Sequence, residues 1–268
     1  LELSEAAHQR LRDRCRELGI EFMSTPFDED SVDLLCAMGV RRIKIPSGEI
    51  TNLPLLRHAA AKGLPLIVST GMADLDEVAE ALDCIQASAP AGKPVDVSLL
   101  HCTSAYPAAC EEVNLRAMET LRKHFGVPVG YSDHTRGLAI SIAAVAQGAV
   151  IIEKHFTLDR TLPGPDHAAS LEPDELSLLV QSIRDVEVAL GDGIKRPMPG
   201  ELAVRALVRR SVVCIRALPE GHVLQRTDVA LMRPGTGIHP RDLDRVVGRR
   251  LRRPTTAGQL LSWEDLDG

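Results

Sequence analysis

The chain has 268 residues, 44% of them hydrophobic and 25% charged, enough to bury one large core or one core with a small appended domain. Its net charge of −6 at pH 7 argues against a general nucleic-acid surface, and the arginines at 209–210 and 245–253 read as solvated faces. No apolar run reaches the length of about eighteen residues that a membrane span needs, and the opening LELSEAAHQRLRDRCRELG has a charged helical pattern rather than that of a leader, so no membrane contact and a cytoplasmic location are expected.

From the start one pattern recurs: a helix, a Gly that stops it, a short β-branched run and a polar burst. The helix Ser4–Leu18 and Gly19 lead to a strand at Ile20–Met23 and the burst Ser24–Asp28. The helix Ser31–Met38 and Gly39 lead to Val40–Ile45 and Pro46–Glu49. The helix Leu53–Ala61 and Gly63 lead to Pro65–Val68 and Ser69–Met72. Next come the helix Leu75–Ala87, the strand Val95–Leu100 and the burst His101–Pro107. The helix Leu115–His124 precedes the strand Val127–Gly130 and the cluster Ser132-Asp133-His134. An Ala-rich helix then precedes Ala149–Ile152 and Glu153-Lys154-His155.

Helices alternating with short apolar strands specify parallel strands joined by right-handed crossovers, in an open doubly wound sheet or a (β/α)₈ barrel. An open sheet concentrates its functional residues at one switch point, whereas here every strand ends in polar chemistry, so the expected fold is α/β of the TIM-barrel type. Six βα units are visible, and the first two of a barrel are expected to be absent from this sequence. The barrel is expected over residues 1–192, a linker over 193–210 and a small β-rich domain over 211–268 with little core of its own. A helix is expected from Glu172 to about Leu190, with acidic residues at its start.

The six cysteines, Cys15, Cys36, Cys84, Cys102, Cys110 and Cys214, are scattered and read as reduced, packed thiols. A lone histidine near a strand end is ordinarily structural, which covers His8, His58, His124, His222 and His239. His134 and His155 differ: they occupy equivalent positions in consecutive units and can face one ion. Two imidazoles without a thiolate suit a site completed by water and substrate. Mn²⁺ fits best, with Co²⁺, Fe²⁺ or Mg²⁺ as alternatives, and Asp133 and Glu153 are expected to fix the histidine tautomers. Lys44, Ser47, Ser69, Thr70, Gly71, Ser104 and Ser132 assemble small hydroxyls and a cation suited to phosphate or carboxylate.

The segments STPFDEDSVDLL, KIPSGEITNLPLL, STGM, HCTSAYP, GYSDHT, EKHFT and GPDHAAS, in that order and at those spacings, resemble the sialic acid synthase (N-acetylneuraminate synthase) family. Residues 211–268 are similar to its C-terminal antifreeze-like domain, including Arg-Pro-Gly-Thr-Gly. The resemblance implies condensation of phosphoenolpyruvate with N-acetylmannosamine or a related acylamino sugar, giving a nine-carbon ulosonic acid and phosphate. It implies that His134 and His155 are metal ligands and catalytic, and that Glu49 is an acidic residue beside the reacting carbons. It matches Lys44, Ser47, Thr70 and Ser132 to phosphoenolpyruvate; Ser104, standing where the family has Asn, would reach the phosphate through water. Tyr106, Asp166 and Arg233 would contact the sugar, Arg233 from the partner subunit of a domain-swapped homodimer. Other readings are a divalent-metal aldolase or lyase on a sugar acid, and a truncated non-catalytic sugar-binding dimer.

Overall fold

The computed structural model describes residues Leu3–Asp267, which divide into two compact units, one reaching to Asp192 and one beginning at Gly193. Among the described residues no helix is long and apolar enough to cross a membrane.

The first unit contains helices α1 (Glu5–Leu18), α2 (Glu29–Ala37), α3 (Leu53–Ala61), α4 (Leu75–Ala87), α5 (Ala117–Phe125), α6 (Ala139–Ala146) and α7 (Pro173–Leu190). Its strands are β1 (Ile43–Ile45), β2 (Leu66–Ser69), β3 (Val97–Cys102), β4 (Val129–Asp133) and β5 (Ile152–Lys154), all parallel and in sequential order. They form a curled half-barrel of the TIM type, with β1 and β5 at its edges. Local chemistry fixes the helix ends. Ser4 caps α1 by accepting the Ala7 N–H, and Gly19 ends it in the left-handed conformation. Asp74 and Glu77 form a reciprocal capping box at the start of α4.

The expected first strand, Ile20–Met23, is not one. A strand needs a paired neighbour and a face to bury, yet Ile20 and Met23 are 59% and 42% exposed and the segment forms no ladder with β1. Glu21 instead accepts from Arg42 Nε at 2.8 Å. Five paired strands therefore stand where six were expected. Four of the five, β2 to β5, also end later than their apolar runs: Ser69, Cys102, Ser132 and Lys154 pair with their neighbours inside the ladders.

Because side chains alternate across a strand, the register sorts the sheet into two faces. Ile43, Ile45, Leu66, Val68, Leu99 and Tyr131 belong to the core packed under the helices. Each such large apolar side chain, taken fully out of water, contributes roughly 1.5–3 kcal/mol. The alternate residues, Lys44, Ser69, Cys102, Ser132 and Glu153 among them, occupy the other face. Gly130 also lies there, and a Cβ on it would sit 2.5 Å from the Ile151 carbonyl oxygen and 2.7 Å from Leu100 Cδ2. Only glycine lets β5 approach β4 this closely.

The second unit contains α8 (Pro199–Val208), the antiparallel pair β6 (Ser211–Cys214) and β7 (Val229–Met232), and α9 (Leu243–Val246). The stretch read as a linker thus holds a helix. The unit has a core of its own, built from Val212, Cys214, Leu224, Val246, Leu251 and Leu261 with their neighbours. Its arginines are largely engaged: Arg245 and Arg249 lie over the Trp263 ring at 5.0 and 5.7 Å, and Arg253 pairs with Asp265.

Asp228 ties this unit together. Its buried carboxylate accepts from Arg216, from His222 Nε2 at 2.7 Å and from the Gln225 N–H at 2.9 Å. Burial opposes its charge, but the Gln225 N–H, His222 and Arg216 together outweigh burial and hold its pKa at about 2, below the usual 3.8. A depressed carboxylate stabilises the fold fully above its unfolded pKa, and that contribution is lost as pH falls through the folded value. Unfolding measured by denaturant between pH 5 and about 2 should show stability falling below about pH 4, and Asp228→Asn should remove that part of the slope.

Candidate active site

On the sheet face turned away from the helix core, a cleft of about 520 Å³ opens at the C-terminal ends of the strands. Lys44, Ser47, Ser69 and Ser104 line one part of it, and Tyr106, His134, Glu153 and His155 another. Parallel strands point their C-terminal ends to one edge, which brings residues more than 100 positions apart into one hollow.

Lys44 is buried. Its ammonium donates to Ser69 Oγ at 2.8 Å and to the Ile45 carbonyl at 3.3 Å, and it lies 3.5 Å from Glu153 Oε2. Glu153 Oε1 in turn accepts from Ser132 Oγ at 2.8 Å. Ser132 Oγ also lies 3.3 Å from His134 Nε2. A chain of polar contacts thus runs from Ser69 through Lys44, Glu153 and Ser132 to His134.

His134 Nδ1 stands 2.7 Å from the Thr103 carbonyl oxygen. A carbonyl only accepts, so Nδ1 carries the proton and Nε2 the lone pair. Burial pushes the imidazole below its ordinary pKa; the Thr103 carbonyl opposes the shift and nearby His155 reinforces it. His134 is therefore neutral at pH 7, with its lone pair held in a fixed direction. The His134 and His155 rings are 5.4 Å apart between centroids, and the Tyr106 ring lies 4.1 Å from the first and 5.4 Å from the second. Burial raises the Tyr106 hydroxyl pKa, which keeps it a hydrogen-bond donor.

Among the described residues no group of three or more His, Cys, Asp or Glu has the geometry to hold a metal ion. The two imidazoles fit a site with two protein ligands whose remaining positions go to water and substrate. The carbonyl-fixed tautomer of His134 is the supporting contact that such a ligand needs.

Ser47 Oγ accepts the Gly71 N–H at 3.0 Å and lies 3.1 Å from Cys102 Sγ. Cys102 is packed there as a buried thiol. Ser132 sits beneath the cleft, in contact with two residues that line it. Thr70 is buried, and its hydroxyl donates to the Leu100 carbonyl at 3.1 Å. Glu49 Oε2 accepts from Asn52 Nδ2 at 2.7 Å, beside the start of α3. Asp166 Oδ2 is 3.9 Å from His155 Nδ1. Arg233 belongs to the second unit, where its Nε donates to the Val208 carbonyl at 3.1 Å.

Asp133 and Glu153 do not fix the histidine tautomers. By strand alternation Asp133 faces opposite to Ser132, and its carboxylate accepts from Thr135 and Ser141 instead. Glu153 reaches His134 only through Ser132. Lys154 was given no role by the motif reading, yet it is buried against Asp133 at 3.0 Å. Register would have found it: Asp133 and Lys154 are paired positions that share the side of Tyr131 and Ile152, where a lone lysine needs an acid.

Residues 1–195 match the NeuB family and residues 209–267 match the SAF domain. The chain belongs to the NeuB family. This NeuB chain is 53% identical over 267 residues to the N,N'-diacetyllegionaminic acid synthase of Legionella pneumophila, an alignment covering 100% of it and 75% of the relative. The Campylobacter jejuni N,N'-diacetyllegionaminic acid synthase is 47% identical, over 93% of the NeuB chain and 74% of its own length. The crystal structure of N-acetylneuraminic acid (sialic acid) synthetase from Leptospira borgpetersenii serovar Hardjo-bovis, in complex with citrate, superposes with a TM-score of 0.69 at 39% identity. That superposition covers 76% of the NeuB chain and 70% of the Leptospira chain.

Gly71 packs tightly behind the cleft residues Ser47 and Ser104. A Cβ there would fall 2.3 Å from Ser104 Oγ and 2.8 Å from both Ser47 Oγ and Cys102 Sγ, whereas one on Gly48 would meet nothing within 4 Å. In urea unfolding Gly71→Ala should cost about 1–3 kcal/mol through overpacking, while Gly48→Ala should stay within about 0.5 kcal/mol of the parent.

Proposed function

We propose that this chain condenses phosphoenolpyruvate with an acylamino sugar, forming a nine-carbon ulosonic acid and releasing phosphate. One observation carries the reading: a buried ammonium among hydroxyls and a pair of imidazoles share a single cleft. Phosphoenolpyruvate needs cationic and hydroxyl partners for its carboxylate and phosphate, and a sugar aldehyde needs a polarising group. Membership of a family whose relatives are named as acid synthases supports the same chemistry.

In this reading Lys44 pairs with an acidic group of phosphoenolpyruvate, Ser47 donates to one of the remaining oxygens, and Ser104 reaches the phosphate through water. Ser47 accepts the Gly71 N–H, and with Cys102 as the donor in their 3.1 Å contact the Ser47 proton turns to a ligand oxygen. Ser132 and Thr70 complete the surroundings of that substrate. The enol carbon bonds to the aldehyde carbon, whose oxygen takes a proton. Water then adds to the cationic carbon that bears the phosphate oxygen and loses a proton. The C–O bond to phosphate breaks as that carbon becomes the ketone of the product, and phosphate leaves with the bonding pair. Glu49, next to the cleft-lining Gly48, stabilises that cation or takes the water's proton. Tyr106 and Asp166 position the sugar.

His134 and His155 would hold the divalent ion, with Mn²⁺ the metal we assign, and a bound ion supplies Lewis-acid polarisation of the sugar carbonyl. The relatives named for diacetyllegionaminic acid make a diacetamido trideoxy mannose the first sugar to test, ahead of N-acetylmannosamine.

Phosphate release should require phosphoenolpyruvate and the sugar together. Release of pyruvate from the ulosonic acid alone would point to an aldolase, and binding without turnover would point to a non-catalytic protein. Lys44→Ala should raise the KM for phosphoenolpyruvate about 10- to 100-fold, as expected for loss of a charged partner. His134→Ala and His155→Ala should each abolish turnover with the fold retained by circular dichroism. Metal-dependent activity in both would sink the metal assignment.

We assign Arg233 to the sugar site of a second copy in a domain-swapped homodimer. Arg233→Ala and His134→Ala, each inactive alone, should regain part of the activity when refolded together, because hybrid dimers contain one intact site. Absence of recovery counts against sharing.

A further inference from the structure

Lys154 and Asp133 form an ion pair that lies outside the chain of contacts leading to the substrate groups. Both side chains are buried, at 3% and 0% exposure, and their charged atoms are 3.0 Å apart. Every oxygen of the carboxylate is engaged. Oδ1 accepts the Thr135 N–H at 2.9 Å and the Thr135 hydroxyl at 2.8 Å, while Oδ2 accepts Ser141 Oγ from α6 at 2.6 Å and faces Lys154. The Lys154 ammonium donates also to the Thr135 carbonyl. Lys154 borders the cleft, but its charge is turned to these partners.

The sequence positions give the pair its significance. Asp133 and Thr135 flank His134, and Lys154 immediately precedes His155. The ammonium on β5 therefore ties down the residues on both sides of the β4 histidine. On the other side the His134 carbonyl accepts the Ala108 N–H at 2.9 Å and its ring donates to Thr103. His134 is thus held from the segment that follows β3 and from β5, and the β5 tie spans the same two strand tips that carry the imidazoles. A buried ion pair of this kind gives no assured net stability over an apolar pair of equal volume. Its geometric effect is definite, because it links the two tips at one spacing.

We propose that Lys154 and Asp133 are positioning residues: their buried pair sets the spacing of His134 and His155 and so the affinity of the two imidazoles for a divalent cation. This rests on the reading of those histidines as metal ligands. The role given to Lys154 and Asp133 is to hold the two strand tips, with the ion left to the imidazoles.

The test is titration of the full chain with Mn²⁺ alone, reading the free ion by electron paramagnetic resonance. The variant is Asp133→Asn/Lys154→Met, which removes both charges at similar volume and leaves no lone buried ion. It should melt close to the wild type and bind phosphoenolpyruvate without metal as the wild type does, yet bind Mn²⁺ roughly 10- to 100-fold more weakly, the usual effect of losing a supporting contact. Mn²⁺ binding equal to wild type overturns the proposal while leaving the metal reading intact. Absence of Mn²⁺ binding by the wild type overturns that reading and the proposal with it. If the double variant does not fold, Ser141→Ala keeps the ion pair and takes one hydroxyl from Asp133. It should weaken Mn²⁺ binding about two- to tenfold, and unchanged binding overturns the proposal.

Discussion

Successive residues of a strand must face opposite ways, and that constraint organises the whole first unit. The helices claim one face of the sheet, so Ile43, Val68, Leu99 and Tyr131 are buried there without choice. The intervening positions are released from that demand. Near the C-terminal ends they become Lys44, Ser69, Cys102, Ser132 and Glu153, a polar surface carried on rigid ladders rather than on loops. Groups on paired strands lose little freedom when a ligand arrives, which suits them to fixed recognition.

The same alternation produces two buried lysines with different fates. Lys154 shares the helix side with Asp133, whose oxygens are saturated by Thr135, Ser141 and the ammonium itself. That arrangement is closed, and nothing in it asks for another partner. Lys44 lies on the cleft side, where its counter-charge is more distant: Glu153 stands at 3.5 Å, is itself 41% exposed and is shared with Ser132. The Lys44 ammonium leans on Ser69 Oγ and the Ile45 carbonyl, neutral acceptors, more closely than on a carboxylate. In the proposed reading an incoming anion would supply the closer counter-charge, so that the looser pairing belongs to the site and the complete pairing to the scaffold.

Much of this was legible in the sequence. Caps and glycine stops located the helices, and α3, α4 and α7 begin and end where their apolar periodicity does. The motif residues gathered in one cleft were found because parallel strands bring their polar ends together. Strand ends were misjudged because apolar character was used to delimit them, and the ladders continue into the polar residues that matter most. Ile20–Met23 has the composition of a strand but lacks a partner in the ladder, and pairing is a tertiary fact that composition does not contain. The core of the second unit was underestimated because its apolar residues are scattered singly among turns, where no periodicity reports them. Lys154 was overlooked because a lysine in a polar cluster looks solvated until register shows which way it points.

The two halves of the cleft are joined by a single proton. Ser132 has one hydroxyl hydrogen and two acceptors in range, the Glu153 carboxylate at 2.8 Å and the His134 lone pair at 3.3 Å. It satisfies one at the expense of the other. The Glu153 oxygen is the nearer acceptor, and the His134 lone pair is left for another partner. A cation at that nitrogen would remove the competition and lock the hydroxyl onto Glu153. An anion at Lys44 would weaken the hold of the ammonium on Glu153 and strengthen the pull of the carboxylate on Ser132. Either event favours the same hydrogen-bond arrangement. Occupancy of the lysine end and of the histidine end should therefore be mutually supportive, through the Ser132–Glu153 hydrogen bond.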